Sequence, residues 1–261
     1  MTKVKEAEAE AEILTQKTLG GLQVQTVDEL PEYINMLIYG NPGVGKTVLA
    51  GSSDDVPELR PVLFIDVEGG TLSLRDRYPE VEVVRVQSWN DMQLLYNELY
   101  KMEHDYKTVV LDSLTEIQKF SMYNIMYEVL QEHPDRDPEV PSIREWGKNI
   151  EQIRRLVRAF RDLPMNTILT ALGVTDKDSE SGKIVTRPSL SGKLAMEVGG
   201  FVDIVGYLYV KVIDGDIQRL MLTQGTDRVI AKDRSDTLPH VVEAPDMSKL
   251  YAHIFETKET K

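Results

Sequence analysis

Short runs of apolar residues recur along the first two-thirds of the chain, and longer amphipathic segments separate them. A strand that is buried on both faces has this continuous apolar composition, whereas a helix packed on a sheet is apolar about every 3.6 residues. Strands are predicted at 36–40, 62–65, 81–86, 108–111 and 167–172. Helices are predicted at 46–52, 89–103, 114–131 and 143–162. This alternation predicts an α/β fold with a mainly parallel, twisted sheet and helices on both of its faces.

The last third of the chain has a different pattern. Its predicted elements are a long polar loop, two paired strands, a short strand and a helix, at 173–193, 201–210 with 217–223, 228–231 and 246–256. Asp214-Gly215 is a hairpin-turn signal between the paired strands, so a C-terminal antiparallel hairpin should extend the sheet. We expect a flexible N-terminal arm and lead-in at 1–32, a main domain at 33–240, and a C-terminal helix and tail at 241–261.

Composition narrows the possible partners. The net charge is −13, from 30 Lys and Arg against 43 Asp and Glu, so nucleic acid could be held only by a local basic patch. The chain has no cysteine, which excludes a disulfide framework and suits a reducing cytoplasm. No apolar run reaches the roughly 18 residues of a membrane-spanning helix, so no membrane association is expected.

One segment between the first strand and the first helix has a specific chemical meaning. It follows the pattern G-x-x-x-x-G-K-[ST], in which glycines let the backbone N–H groups curl around phosphates. Lys46 should reach the β- and γ-phosphates of ATP, and the Thr47 hydroxyl should bind Mg²⁺. The predicted nucleotide-binding residues are Gly40, Asn41, Pro42, Gly43, Val44, Gly45, Lys46, Thr47 and Val48.

Carboxylates that follow neighbouring strands complete this predicted site. Asp112 ends the apolar run 108–111, and the carboxyl ends of parallel strands meet at one edge of a sheet, so Asp112 should support Mg²⁺. Hydrolysis also needs a base that orients water. Glu68 is favoured for this role because it follows the strand after the phosphate-loop helix, while Glu116 and Asp66 are the alternatives.

The order of these motifs resembles the RecA-type ATPase core. A phosphate loop is followed by Ile65-Asp66-Val67-Glu68 and then by Leu111-Asp112-Ser113, each after an apolar strand. The chain length and the loop sequence GNPGVGKT also resemble phage-encoded RecA-like nucleotide-binding proteins, which are described too as phage AAA-domain proteins and include single-strand-annealing ATPases. The resemblance implies that Glu68 is the catalytic base and that Asp112 supports magnesium.

The resemblance also implies a nucleotide-sensing residue and a mobile DNA-binding loop after the last core strand. Thr170 is the nearest polar residue to the sensor position, and the predicted loop 173–193 follows it. The loop lacks aromatic residues, which does not fit a base-stacking platform. Its basic residues are the candidate DNA contacts, namely Lys177, Lys183, Arg187 and Lys193.

Two further basic segments have more than one interpretation. The predicted helix 143–162 carries many arginines opposite its apolar face, which fits a solvated surface, a phosphate-backbone track or a contact with a neighbouring subunit. Lys232 and Arg234, with one residue between them, match a RecA-family pair that reaches into the ATP site of the next subunit. Such a pair would stabilise the transferring phosphoryl group in trans, so the resemblance implies a homo-oligomer.

The sequence thus predicts an ATPase that uses ATP and Mg²⁺ and is stimulated by DNA or by oligomerisation. The family resemblance implies phage recombination in the host cytoplasm, with binding of single-stranded DNA, annealing or strand pairing, and a single-strand-binding protein as partner. A protein-binding switch, or a packaging or replication accessory ATPase, is the main alternative. A small-molecule P-loop kinase is the other.

Overall fold

The computed structural model describes residues 18–27, 33–177 and 182–256. The chain divides into two compact units, with the boundary between Tyr33 and Ile34. In the first unit, strands β1 (Thr18–Leu19) and β2 (Leu22–Gln23) pair in antiparallel fashion around a glycine turn. Residues 1–17 and 28–32, which include most of the predicted arm, lie outside the described residues.

The second unit is built on a large, mixed sheet. The strands from the first two-thirds of the chain are parallel to one another. They are β3 (Asn35–Gly40), β4 (Val62–Asp66), β5 (Glu82–Arg85), β6 (Thr108–Asp112) and β7 (Asn166–Lys177). The later strands are β8 (Ile184–Pro188), β9 (Ile204–Ile213), β10 (Asp216–Leu222), β11 (Lys232–Asp233) and β12 (Val241–Glu243). The order across the sheet is β12-β10-β9-β3-β7-β6-β4-β5, with β11 paired to β9 and β8 paired to β7. β3 therefore lies at the centre of the sheet.

Helices cover both faces of this sheet. They are α1 (Lys46–Gly51), α2 (Trp89–Tyr100), α3 (Leu114–Glu132), α4 (Ile143–Arg161), α5 (Leu194–Phe201) and α6 (Met247–Tyr251), which continues as a π-helix over Ala252–Glu256. Alternate residues of each central strand enter different cores, since successive side chains point to opposite faces. Leu37 and Tyr39 pack in the core beneath α2 to α5, whereas Met36 and Ile38 pack in the core beneath α1 and α6.

The predicted α/β fold with a mainly parallel sheet is confirmed, and so is its antiparallel extension. β9 pairs in parallel with β3 and in antiparallel with β10. The turn between them consists of Asp214 and Gly215, both with positive φ, as a tight hairpin turn requires. Ser88 caps α2 as predicted, because its hydroxyl accepts from the backbone N–H of Asp91 at 3.1 Å.

Three sequence-based assignments in the last third were wrong. Most of the predicted loop 173–193 is a β-hairpin, in which β7 runs on to Lys177 and pairs with β8. Its Val, Ile and Thr residues favour strands, and its many polar neighbours hide that preference. The strand predicted at 228–231 is only a single bridge from Val229 to Thr186. The strand β11 follows it, at Lys232–Asp233. Helix α5 was not predicted, and because it ends at Phe201 the strand predicted from 201 begins at Ile204 instead.

The glycine at the end of β3 is fixed by close packing. A Cβ on Gly40 would lie 2.1 Å from the carbonyl oxygen of Leu208 on β9, which is backbone and cannot rotate away. We expect Gly40→Ala to lower the free energy of unfolding by about 1–3 kcal/mol. Gly147→Ala on α4 is the control, since a Cβ there meets nothing within 4 Å and alanine favours helix by about 0.5–1 kcal/mol. Urea unfolding measures both, and equal stability of Gly40→Ala and wild type would contradict the packing.

Candidate functional site

The segment between β3 and α1 forms a tight loop at the carboxyl edge of the sheet. Gly43 and Gly45 have φ of 77° and 103°, a region that glycine enters without steric cost. Open space lies over Gly43, where a Cβ would meet nothing within 4 Å. No side chain caps the first turn of α1 in the described part of the chain, so its backbone N–H groups remain for an external acceptor. The loop therefore fits an anion such as a phosphate.

Lys46 supplies a buried positive charge to this loop. Its side-chain nitrogen donates to the carbonyl oxygens of Gly40 and Asn41, both at 3.1 Å, and the residue is only 7% exposed. Burial lowers the pKa of the Lys46 ammonium, while the nearby carboxylates of Glu68 and Asp112 partly oppose this shift. A desolvated ammonium gains strongly from an anionic partner, so Lys46 fits the predicted role at the polyphosphate.

Asp112 at the end of β6 joins the loop to the neighbouring strand. Its carboxylate accepts from the Thr47 hydroxyl at 2.8 Å and, on its other oxygen, from the Thr170 hydroxyl of β7. Burial raises the pKa of the Asp112 carboxyl, and the hydrogen bonds from Thr170 and Thr47 work against that rise. The structure thus brings Thr47 and Asp112 together as the sequence predicted. It also places Thr170, the predicted sensor position, in direct contact with Asp112.

These residues fit a magnesium ion that is shared with phosphates. Gly70 lies beside this pair, since a Cβ there would be in ordinary van der Waals contact, at 4.0 Å, with both the Thr47 hydroxyl oxygen and Asp112 Oδ2. The described residues contain no cluster of three or more His, Cys, Asp or Glu side chains that could hold a metal alone. Thr47 would bind Mg²⁺ directly and Asp112 would support it, and the metal would neutralise phosphate charge.

Among the three candidate bases, Glu68 is the one in the cleft. It lines the same cavity as Lys46 and Thr47, and its carboxylate accepts from the hydroxyl of Ser113, which follows a cis peptide bond. Asp66 is 1% exposed and accepts from the backbone N–H groups of Gly69 and Gly70, so it holds the loop that carries Glu68. Glu116 instead pairs with Lys119 on the surface of α3. The geometry favours Glu68.

The cleft extends beyond the phosphate loop. It has a volume of about 1000 Å³, and its far wall comes from β10 and from the turn between β12 and α6. Arg219 of β10 reaches the loop, where its Nε donates to the carbonyl oxygen of Val44 at 3.2 Å. Sequence reasoning missed Arg219, because an arginine in an alternating strand carries no local signal of a long-range contact.

Lys232 and Arg234 lie at the other edge of the sheet within this chain. Lys232 pairs with Val205, next to the start of β3, and its side-chain nitrogen donates to the carbonyl oxygens of Gly199 and Val202. Arg234 forms an ion pair with Asp203. The structure does not bring these residues to the phosphate loop of their own chain, so their action in a neighbouring subunit stays a prediction.

Three of the candidate DNA contacts lie on or beside the paired strands β7 and β8, and Lys193 follows them; residues 178–181 lie outside the described residues. Arg187 pairs with Asp176 at 2.8 Å, and Lys183 lies 3.8 Å from the carboxylate of Asp227. Lys177 ends β7 and Lys193 precedes α5. These contacts partly neutralise the hairpin, so the basic patch is weaker than the sequence indicated.

The basic face of α4 is mostly engaged by its own surroundings. Arg154 pairs with Glu151 and Glu197, and Arg161 pairs with Asp162. The Arg158 guanidinium lies over the Phe201 ring, 4.5 Å from its centroid. These contacts favour the solvated-surface interpretation of this helix over a phosphate track.

The central β3–loop–α1 unit, with Asp112 at the end of β6 two strands away in the same sheet, defines a P-loop nucleotide-binding protein. A family model described as an AAA domain matches residues 32–235, and the chain belongs to this family of AAA-type P-loop ATPases. No curated protein matches the chain. No helix in the described ranges is long and apolar enough to cross a membrane.

Two solved structures resemble the fold at low identity. A KaiC-like protein from Pyrococcus horikoshii is 17% identical, with a TM-score of 0.44, and the match covers 88% of this chain and 99% of that one. The flagellar accessory protein FlaH from Methanocaldococcus jannaschii is 11% identical, with a TM-score of 0.42, over 80% and 90% of the two chains. Both likenesses are too weak to add to what the strand order shows.

Proposed function

We propose that this protein binds ATP with Mg²⁺ and hydrolyses it, with Glu68 as the general base. The observation that carries the proposal is the convergence of Lys46, the Thr47–Asp112 pair and Glu68 on one cleft. Lys46 and the loop N–H groups hold the β- and γ-phosphates, and Glu68, held by Ser113, accepts a proton from water. The water oxygen bonds to the γ-phosphorus, the bond to the β–γ bridging oxygen breaks, and ADP leaves.

We further propose that hydrolysis is linked to single-stranded DNA through the β7–β8 hairpin. β7 carries Thr170, which contacts Asp112, and the same strand continues into the hairpin with Lys177. The Tyr39 hydroxyl lies 3.2 Å from the carbonyl oxygen of Thr186 on β8 and 2.6 Å from that of Ile230. Two contacts, one from Asp112 and one from Tyr39 directly before Gly40, therefore connect the surroundings of the phosphate loop to β7 and β8. This connection supports a site at which nucleotide state and DNA contact influence each other.

In this proposal the protein acts in phage recombination in the host cytoplasm, as a homo-oligomer that promotes annealing or strand pairing. Lys177, Lys183, Arg187 and Lys193 contact the DNA backbone, and Lys232 or Arg234 completes a neighbour's ATP site. A single-strand-binding protein is the expected partner. These assignments rest on the RecA-like motif order and on the hairpin's connection to Asp112.

A second candidate is an ATP-dependent switch that binds protein, for example a packaging or replication accessory factor. The net charge of −13 and the pairing of Arg187 and Lys183 with Asp176 and Asp227 favour it. An acidic surface repels nucleic acid unless a local patch overcomes it. A small-molecule P-loop kinase is the other alternative, in which the carboxylate of Glu68 in the cleft would accept a proton from a substrate hydroxyl instead of from water.

The steady-state ATPase rate, measured with and without single-stranded DNA at low and high protein concentration, separates these candidates. We expect DNA to stimulate the rate, and the rate per subunit to rise with protein concentration. Lys177→Ala combined with Lys183→Ala should reduce the stimulation and leave the DNA-free rate unchanged. An ATPase rate that responds to neither DNA nor concentration would reject the DNA proposal and favour the protein-binding switch.

A further inference from the structure

Arg219 lies on the face of β10 that looks toward the phosphate loop. Met221, two residues further along the strand, is completely buried in the core beneath α1. Because side chains alternate along a strand, Arg219 points to this same face. Pairing of Arg219 with Val210 places it further out along the hairpin than Met221, which pairs with Leu208. The β9–β10 hairpin therefore places the positive charge of Arg219 at the edge of the phosphate loop.

The contacts of Arg219 leave most of its guanidinium available. Nε donates to the carbonyl oxygen of Val44 at 3.2 Å and would lie 3.2 Å from a Cβ on Gly45. A guanidinium has five N–H donors in a planar fork. Arg219 lines the same cleft as Lys46 and Thr47. It forms no ion pair with any carboxylate in the described ranges. Its terminal N–H groups are thus open to a ligand at the loop.

We propose that Arg219 is a second cationic ligand of the nucleotide polyphosphate, supplied in cis by the hairpin strand β10. The fork of a guanidinium matches phosphate oxygens in pairs, and an arginine keeps its charge at every physiological pH. The hydrogen bond from Nε to the carbonyl oxygen of Val44 holds the guanidinium beside the loop. This inference rests on the proposed ATP binding and assigns a residue that the loop motif does not include.

A purely structural role for Arg219 makes different predictions. If the side chain only braced the loop through Val44, its loss would weaken binding by loosening the backbone, and added salt would not change the size of the effect. A direct charge contact with phosphate is screened by salt at an exposed position such as this one. The salt dependence of the loss therefore separates the two roles.

The test is calorimetric titration of Mg²⁺-ATP into wild type, Arg219→Gln and Lys211→Gln at low and high salt. Lys211 is an exposed cation of the same hairpin on β9, outside the cleft lining, so Lys211→Gln matches the charge change. We expect Arg219→Gln to raise the Kd for ATP about tenfold or more at low salt, and by a smaller factor at high salt. Lys211→Gln should bind ATP like wild type.

The outcomes distinguish this inference from the function on which it rests. Wild-type affinity in Arg219→Gln, or a loss of equal size at both salt concentrations, would overturn the role of Arg219. In either case, ATP binding by wild type and its loss in Lys46→Ala would leave the proposed function intact. If wild type itself does not bind ATP, the proposed function fails and the inference fails with it.

Discussion

Glu68→Gln is expected to reduce ATP turnover by about 100-fold or more while ATP binding is retained. General-base catalysis contributes roughly 10²–10⁴-fold, and glutamine keeps the shape of the side chain but cannot accept the proton of water. Glutamine can still hydrogen-bond to Ser113, so the loop should remain in place. Phosphate release under saturating ATP measures turnover, and calorimetric titration measures the Kd.

Glu116→Gln is the matched control for this substitution. Glu116 lies on α3, pairs with Lys119 at 2.5 Å and does not line the cleft, so its variant should turn over ATP like wild type. If Glu116→Gln abolished turnover and Glu68→Gln did not, the assignment of the base would be wrong. The comparison is informative because both variants remove one carboxylate and leave the phosphate loop unaltered.

Lys46→Ala is expected to weaken ATP binding by about 100-fold, which corresponds to roughly 3 kcal/mol for lost hydrogen bonds to charged phosphates. The ligand-free protein should not lose stability to the same extent, because burial already lowers the pKa of Lys46 and disfavours its charged form. Titration of ATP measures the first effect, and thermal unfolding without nucleotide measures the second.

Lys211→Ala serves as the control for Lys46→Ala, since it removes an exposed lysine outside the cleft lining and should change neither quantity. Unaltered ATP affinity in Lys46→Ala would show that the loop is not the nucleotide site. A large fall in the ligand-free melting temperature would instead mean that the bonds from Lys46 to Gly40 and Asn41 chiefly hold the fold.

The sequence predicted the parts of the site that depend on short, local sequence patterns. The loop from Gly40 to Thr47 is one continuous segment, and Asp112 directly follows an apolar strand. Parallel strands bring their carboxyl ends to one edge, so the meeting of Thr47 and Asp112 at 2.8 Å follows from the alternation of strands and helices. The central strands were also predicted well, because each is a short, continuous apolar run.

The parts that were missed depend on contacts between distant segments. Arg219 reaches Val44 across 175 positions of sequence, and Tyr39 reaches Thr186 across 147. Neither residue stands in a motif, and the polar hairpin β7–β8 looks like a loop because its strands do not alternate cleanly between apolar and polar residues. Tertiary pairing with the rest of the sheet selects the strand conformation there.

Asp112 connects the phosphate-loop helix to the strand that continues into the β7–β8 hairpin. Its carboxylate joins Thr47 of α1 to Thr170 of β7, so three chain segments meet at one buried group that is 1% exposed. In the proposed function, a change in the hydrogen bond of Thr47 on nucleotide binding would alter the contacts of Asp112 with Thr170, on the strand that continues into the β7–β8 hairpin. The proposed link between ATP and DNA depends on this short chain of contacts.

We propose that the cleft at Gly40–Thr47 hydrolyses ATP with magnesium. Phosphate release by purified wild type at saturating ATP, measured with Mg²⁺ and after its removal by chelation, tests this claim most directly, and single-stranded DNA should be present to allow assembly. We expect steady phosphate release that requires Mg²⁺. Absence of phosphate release at every protein concentration, or release at the same rate without Mg²⁺, would contradict it.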